Sequence, residues 1–322
     1  MTVSSVIVTY NRSQELIRCL NAVLNQTRKL DSIVIVNNAS SDNTLEQIYK
    51  FTELSANAIV NEYEKLMLLK FLNGTNIYLF NKKENTGGSG GFYSGLKTAH
   101  EYLKTDYYWL MDDDGYPSEN CLETLFTRAE DYDYIMPTSI DIEKHDSLSW
   151  PTRMKNGKKT IIYSELKDSW KEIMDFVTPF NGVLLSKNCV DKVGYINKDF
   201  FIWGDDYEHY YRCKKNGIQP VTLIPAVFYH PAQKVMLKKI CFRLFSLAYS
   251  DSPLRMVCLA RNWTYIYLHY NQKYKIPIKW VMYWWLFIIT RHGDFKGWKL
   301  YKQSVKDGFK GDFTRHLQYL KR

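Results

Sequence analysis

The stretch Tyr107-Tyr108-Trp109-Leu110-Met111-Asp112-Asp113-Asp114-Gly115 runs five apolar or aromatic residues straight into three carboxylates and a turn residue. Five such residues bounded by a turn signal fit strand length better than helix length. The acids then stand at the C-terminal edge of a buried strand. Open α/β sheets bind ligands outside that edge. A carboxylate cluster there is well placed to hold a hard divalent cation against phosphate oxygens. The competing reading is a solvated acidic turn before a helix, with Asp114 or Ser118 as N-cap near Pro117, because acids gather at helix N-termini on electrostatic grounds alone.

The flanking sequence favours the sheet. Val3 to Tyr10 is a β-branched run followed by the polar turn Asn11-Arg12-Ser13. A helix from about Ser13 to Gln26 follows, with Ser13 as N-cap and Leu16, Ile17, Leu20, Val23 and Leu24 as its apolar stripe. Ile33 to Val36 is a second apolar strand, ending in Asn37-Asn38-Ala39-Ser40-Ser41-Asp42. Strand, helix, strand, polar loop, helix opens a parallel sheet whose strand-end loops can carry a nucleotide. The pattern next predicts helices over about Asn43 to Leu54 and Asn61 to Leu72, then a strand at Ile77 to Phe80. Asn85-Thr86-Gly87-Gly88-Ser89-Gly90-Gly91-Phe92 leads into a helix from about Phe92 to Lys104. Four glycines in five residues let backbone N–H groups approach an anion at a helix start; a flexible linker is the alternative. The segment is neither a Walker A loop nor a G-x-G-x-x-G dinucleotide fingerprint.

Beyond the acids, a helix is predicted from about Ser118 to Ala129 and a strand at Tyr134 to Pro137. Residues 138–176 are irregular, with a hairpin at Asn156-Gly157 and a helix near Leu166 to Phe176. Acceptor specificity fits this region, where Trp150 and Trp170 are either sugar-stacking platforms or core. In the block from Phe200 to Arg212, Asp205 and Asp206 follow a hydrophobic run and open a helix on which Glu208 and Arg212 are i,i+4 partners. A second carboxylate pair is what an enzyme needs if one group holds a metal and another removes a proton. N-capping by Asp205 or Asp206 is the plain alternative. His230 follows the apolar strand Val221 to Tyr229; it is either structural or, as neutral imidazole, the completion of a Mn²⁺ site.

A chain of 322 residues accommodates one large α/β domain and an appendage. Six scattered cysteines without a C-x-x-C pair, and an N-terminus unlike a signal peptide, lead us to expect a reducing, cytoplasmic setting with no zinc or disulfide framework. Residues 231–322 carry 18 Lys and Arg against four Asp, a net +14, whereas the preceding residues sum to −5. Such asymmetry calls for an anionic partner, nucleic acid or membrane. This tail is helical and aromatic, with Trp263, Trp280, Trp284 and Trp285 in the segments Leu254 to Tyr270 and Ile278 to Thr290. The Val281 to Thr290 run is about half a bilayer span. It suits a helix lying in the membrane interface, or an ordinary helical subdomain packing its own core or a dimer contact.

The Val8-Thr9-Tyr10-Asn11-Arg12 opening, Asn37 to Asp42, Asp112-Asp113-Asp114, Trp203-Gly204-Asp205-Asp206 with Glu208 and Arg212, and His230 occur in one order over the first 230 residues. In this the chain resembles the inverting family 2 glycosyltransferases of the GT-A fold. It looks most like the galactofuranosyltransferase branch, with bacterial rhamnosyltransferases close behind. The resemblance implies an α/β GT-A domain over 1–230, Rossmann-like with a mixed, mostly parallel sheet flanked by helices, and a basic, aromatic-rich helical region over 231–322. It implies Asp206 as catalytic base. Thr9, Tyr10, Asn11, Arg12, Asn38, Asn85, Gly88, Asp112 and Asp113 would meet the donor nucleotide, Asn38 standing where the family often has Asp. Asp112, Asp114 and His230 would hold Mn²⁺ or Mg²⁺, and Trp203, Asp205, Glu208 and Gly90 would face the sugar or acceptor. The implied partners are a UDP-sugar, galactofuranose first and dTDP-rhamnose as the alternative, and a glycan or lipid-linked glycan acceptor of the bacterial surface. The implied seat is peripheral, on the inner face of the cell membrane; a homo-oligomer is compatible with it and nucleic acid is not expected.

The chemistry agrees with the residue types. Displacing a nucleoside diphosphate from an anomeric carbon needs its charge neutralised and one base for the acceptor hydroxyl. A two-carboxylate glycosidase would leave the acidic cluster and glycine segment without a role. Two other classes stay open at this point. A single-stranded nucleic-acid-binding protein would use the basic aromatic tail. A nucleotidyltransferase would act on an α-phosphate, though no strong basic signature accompanies the glycine segment.

Overall fold

Runs of β-branched residues buried on both sides form the centre of a mixed sheet. The computed structural model describes residues 1–53, 62–177, 180–232 and 237–320. Its contacts divide the chain into two units, Met1–Lys198 with Cys213–Gln233, and Asp199–Arg212 with Lys234–Arg322. The acidic block at 205–208, expected with the first 230 residues, is thus grouped with the C-terminal helices.

In the first unit, β1 (Val3–Thr9) and β2 (Ser32–Asn37) are buried at every position, as strands covered by helices on both faces must be. The helices α1 (Ser13–Leu24) and α2 (Thr44–Phe51) flank β2 in sequence. Next come β3 (Leu66–Leu72), β4 (Thr75–Asn81), α3 (Gly87–Thr98), β5 (Tyr107–Asp112) and β6 (Tyr116–Pro117). They are followed by α4 (Cys121–Phe126), β7 (Tyr134–Asp141), β8 (Ser147–Arg153), β9 (Lys159–Ile162), α5 (Tyr163–Trp170), β10 (Ile173–Met174), β11 (Val183–Ser186), α6 (Lys187–Val193) and β12 (Val221–His230); α7 (Asp205–Lys215), between α6 and β12 in sequence, is grouped through Arg212 with the second unit. The main strand order is β10-β12-β7-β11-β5-β1-β2-β4-β3. β5, β1, β2 and β4 are parallel, as are β7 and β12, while β11 inserts antiparallel between β5 and β7. Strand alternation splits the core: Ile7, Ile33, Trp109 and Met111 face α1, while Val6, Val8, Tyr108 and Leu110 face α3.

Three expectations are corrected. The segment read as a helix over 61–72 is, from Leu66, the strand β3, antiparallel to β4; Asn61 and the end of the preceding predicted helix lie outside the described residues. Asn73-Gly74, both with positive φ (51° and 89°), forms the two-residue turn that joins them. That hairpin signal outweighs the apolar run. The glycine segment is not a loop before the helix but its first turns, since α3 begins at Gly87. A Cβ on Gly91 would stand 2.4 Å from Val8 Cγ1, and one on Gly95 2.4 Å from Val6 Cγ1. These glycines let α3 lie against the sheet more closely than any side chain allows.

The second unit holds α8 (Pro253–His269), α9 (Lys275–Trp284), which runs on as a π-helical turn through Thr290, and α10 (Phe295–Lys310). Ser252 caps α8, with Pro253 at its first position, and Asp294 Oδ1 caps α10 by accepting the Gly297 N–H at 2.8 Å. Tyr283 stacks on Tyr301 at 4.3 Å within a core that includes Leu286, Phe287 and Val305. The third correction is here: the tail is not all helix, for β13 (Leu237–Ile240) and β14 (Phe245–Ala248) form an antiparallel hairpin.

Candidate active site

The chain leaves β1 for β2 and β4, then returns to β5 on the other side of β1. The C-terminal ends of β1 and β5 therefore flank a reversal of strand order, where ligands of open α/β sheets bind. Val8 is in register with Asp112, so the residues just beyond meet. Thr9 Oγ1 donates to Asp113 Oδ2 at 2.6 Å, and Arg12 Nη1 reaches Asp113 Oδ1 at 3.1 Å and Asp114 Oδ2 at 2.6 Å. Tyr116 pairs with Tyr229, and this short ladder carries His230 to the cluster, with Nε2 3.3 Å from Asp114 Oδ1.

The His230 contact has an unusual chemistry. Nδ1 lies 2.7 Å from the Pro231 carbonyl oxygen, which can only accept, so Nδ1 carries a proton. Nε2 faces Asp114 Oδ1, a buried oxygen with no other hydrogen-bond donor among the described residues. That nitrogen either carries a second proton toward the carboxylate or leaves a lone pair that a cation would bridge to it. A ring nitrogen whose partner N–H is tied to a backbone carbonyl is the usual arrangement of a metal-binding histidine. Trp150, buried, sets its ring against His230 with centroids 5.4 Å apart, and Ser149 Oγ donates to the His230 carbonyl at 3.0 Å. The donor set thus fits a divalent cation. Among the described residues, no three His, Cys, Asp or Glu side chains form a complete metal site. Asp114 and His230 come together, Asp112 does not join them as a third ligand, and a hard ion would draw the rest of its shell from phosphate oxygens and water.

The three aspartates differ electrostatically. Burial pushes the Asp113 carboxyl up to about 6 despite the Thr9 hydrogen bond and the Arg12 charge. Burial acts in the same sense on Asp114, but His230 and Arg12 outweigh it and hold the group below the usual carboxylate range. Asp113 therefore braces Thr9 and Arg12, and Asp114 presents the charge.

Several expected donor contacts hold loops. Asn11, at φ 55°, accepts the Ser41 N–H through Oδ1 at 2.7 Å and donates its own N–H to the Ser40 hydroxyl oxygen at 3.0 Å. Asn38 is buried, donating to Asn85 Oδ1 and the Gly87 carbonyl and accepting from the Thr86 N–H. Asn85 Oδ1 also accepts the Gly87 N–H at 2.8 Å. Gly88 borders open space, whereas a Cβ on Gly90 would meet Thr86 Oγ1 at 2.3 Å. Tyr10 is exposed.

The second carboxylate pair follows a tight turn in which Phe201, Trp203 and Gly204 have φ of 67°, 64° and 89°. Left-handed conformations at Phe and Trp persist only where the surroundings impose them. Two adjacent residues of α8 do so. Asn262 Nδ2 donates to the carbonyls of Phe200 (3.0 Å), Ile202 (3.0 Å) and Trp203 (2.8 Å), and Arg261 Nη2 donates to Phe200 at 2.9 Å. Arg261 is fully buried, and its Nε donates to Asn262 Oδ1 at 2.8 Å. The sequence signal for this clamp was a charged residue on the buried stripe of an otherwise apolar helix.

Beyond the turn, Asp205 is buried and Asp206 half-buried at the start of α7. Burial, reinforced by the charge of Asp205, pushes Asp206 up to about 7 against the pull of backbone N–H groups, including Tyr207 at 2.8 Å. A half-buried carboxylate with a proton affinity near neutrality is suited to accept a proton from a substrate hydroxyl. Glu208, expected to face the acceptor, is instead locked by both nitrogens of the Arg212 fork (3.0 and 2.9 Å) and by the Tyr270 hydroxyl at 2.6 Å. Trp203 stays partly exposed, with the Arg255 guanidinium 5.9 Å from its ring. Trp170 donates to the Arg153 carbonyl and packs on Phe176, away from any such role.

A mixed, mostly parallel sheet flanked by helices, carrying acids at its strand-order reversal, is the architecture of a glycosyltransferase of the GT-A fold. Residues 1–349 of Staphylococcus aureus TarS match the fold with a TM-score of 0.55, covering 98% of this chain and 81% of that one at 17% identity. The structure of GalNAc-T7 with UDP, GalNAc and Mn²⁺ matches at 0.53, over 83% of this chain and 50% of that one, at 13% identity. The chain belongs to glycosyl transferase family 2, whose model matches residues 4–194. Galactofuranosyltransferase GlfT1 of Mycolicibacterium smegmatis is 25% identical to it, covering 90% of both chains. GlfT1 of Mycobacterium tuberculosis H37Rv is 26% identical over 92% of this chain and 91% of the relative.

Proposed function

We propose that this glycosyltransferase moves galactofuranose from UDP-galactofuranose, with inversion, to a hydroxyl of a lipid-linked precursor of a bacterial surface glycan. The geometry that carries the reading is the half-buried Asp206 at the head of α7, beside Asp205 and after a turn held by Arg261 and Asn262, where burial and the Asp205 charge raise its proton affinity. The near full-length likeness to galactofuranosyltransferases supports the choice of donor.

In this reading Asp206 takes the proton of the acceptor hydroxyl as that oxygen attacks the anomeric carbon from the face opposite the diphosphate. The Arg261 and Asn262 clamp fixes the turn from which it projects. Arg12, anchored on Asp113 and Asp114, orients its charge toward the phosphates, and Asp114 with His230 would hold Mn²⁺ or Mg²⁺. That ion, when bound, supplies Lewis-acid neutralisation of the departing nucleoside diphosphate. Among the described residues no helix is long and apolar enough to cross a membrane. The basic, aromatic C-terminal unit supports a peripheral seat on the inner leaflet, where a lipid-linked acceptor would be presented.

The test is a donor panel with purified protein, Mn²⁺ and acceptor, scored by nucleoside diphosphate release. UDP release from UDP-galactofuranose is expected. Turnover of dTDP-rhamnose with none of UDP-galactofuranose would overturn the donor, and full activity in excess chelator would overturn the metal.

A further inference from the structure

The hairpin in the C-terminal unit, absent from the sequence expectation, buries Ile240 and Leu247 but carries Leu237, Phe242, Leu244 and Phe245 outward. Its connection holds three successive non-glycine residues at positive φ, Cys241 (49°), Phe242 (54°) and Arg243 (70°). This strained turn leaves Phe242 90% and Leu244 77% exposed. The Phe242 ring lies 5.9 Å from that of Trp285. Val281, one helical turn before Trp285, is exposed, and Ile278 and Trp284 continue the exposed stripe at three-residue spacing. The hairpin tip and the outer edge of α9 thus share one apolar patch, a feature that marks an interaction surface rather than ordinary scatter.

Charge identifies the occupant. From Pro231 to Gly293 the chain has ten Lys and Arg and one acid, Asp251. Arg243 is in the turn itself, Lys238 and Lys239 are on the strand leading to it, and Lys275 and Lys279 are on α9. Apolar and aromatic tips fringed by cations match the acyl and headgroup layers of an anionic bilayer. A protein partner would need a matching acidic, apolar face.

We propose that the 241–245 turn inserts into an anionic lipid leaflet, with the Ile278, Val281 and Trp284 stripe lying beside it at headgroup level. The inference rests on the peripheral-membrane part of the proposed function and names the residues that make the contact. A substitution pair on the turn, Phe242→Glu with Leu244→Glu, changes two exposed positions and leaves the packed core of the unit alone.

The experiment is co-sedimentation of the full chain with vesicles of phosphatidylcholine containing phosphatidylglycerol, alongside transfer to a soluble acceptor. The natural protein is expected in the pellet with anionic vesicles, with binding that persists at about 0.5 M salt, where exposed charges are screened. The double variant should lose at least tenfold in partitioning while keeping transfer to the soluble acceptor. Equal sedimentation of the variant, or complete loss of natural binding in salt, would overturn insertion while leaving a peripheral seat intact. A natural protein that stays in the supernatant would overturn both. A concentration-dependent dimer dissolved by the same substitutions would assign the patch to a second copy and also overturn the proposal.

Discussion

The two aspartate pairs of this enzyme have the same chemical groups and opposite electrostatics. Asp114 is flanked by Arg12 and His230, which outweigh its burial and keep it charged. Asp206 is flanked by Asp205, so burial and a like charge act together and raise its proton affinity. The roles proposed above match this contrast: a carboxylate that stays ionised beside a phosphate would need neighbours such as Arg12 and His230, and one that picks up a proton near neutral pH would need one such as Asp205. Glu208, two residues from Asp206, supplies the control: the Arg212 fork and Tyr270 make it a strut.

The contrast can be broken most directly at Asp206. Replacing it with Asn should lower turnover by ~10²- to 10⁴-fold, the usual contribution of a general base, with donor affinity unchanged in a binding titration. Near-normal turnover would remove the assignment. In the natural enzyme kcat/KM should climb with pH and level off above about 7, and this acid limb should vanish in the Asp206→Asn variant. At the other pair, Asp114→Asn should weaken donor binding in Mn²⁺ by at least the ~10- to 100-fold that outer-shell ligand partners command, and leave metal-free binding nearly unchanged. Calorimetry with and without chelator distinguishes the two.

Smaller effects sharpen the comparison. Asn262→Ala removes the donor shared by three carbonyls, so kcat should drop ~10-fold or more as the base loses alignment, with KM for the donor little changed. A parallel loss in KM would make Asn262 a general structural residue. Thermal melting gives the last test. Asp206, raised from 3.8 to about 7, contributes stability that is complete in acid and fades as pH rises toward 7. Asp206→Asn should therefore gain melting temperature over the natural protein at about pH 8 relative to about pH 4. Asp114 is depressed, so its contribution is present at neutral pH and lost in acid, and Asp114→Asn should show the reverse trend.

Much of the first unit was legible from sequence because its strands are short buried runs ending in polar turns, a pattern with few alternatives. The ends of β1, β5 and β12 carry Thr9, Asp112 and His230, each close to where periodicity placed it. The Leu66–Leu72 run reads ambiguously because hydrophobicity without alternation cannot distinguish strand from helix, and only the Asn73-Gly74 turn that follows marks it as half of a hairpin. In the glycine segment the helix boundary was misplaced: α3 starts at Gly87 rather than near Phe92, because Gly91, and Gly95 beyond the segment, answer Val8 and Val6 of β1, a strand distant in sequence. Asn11 and Asn38 were predicted by type and position, yet no local pattern shows that a loop 30 or more residues away takes up their hydrogen-bonding capacity.

Arg261 is joined to more than the turn before Asp205. Its Nη1 donates to the Phe313 carbonyl at 3.2 Å and meets the neutral ring of His316 at 3.0 Å, while the Phe313 ring covers its guanidinium. A single buried cation thus ties the segment around Phe313 and His316 to the backbone of the turn that precedes Asp205 and Asp206, the latter the base proposed above. Trimming the chain after Gly311 would be expected to leave the sheet and its acidic cluster assembled, yet to slacken the base a hundred residues upstream, so that a change at the extreme C-terminus would register as a defect in chemistry.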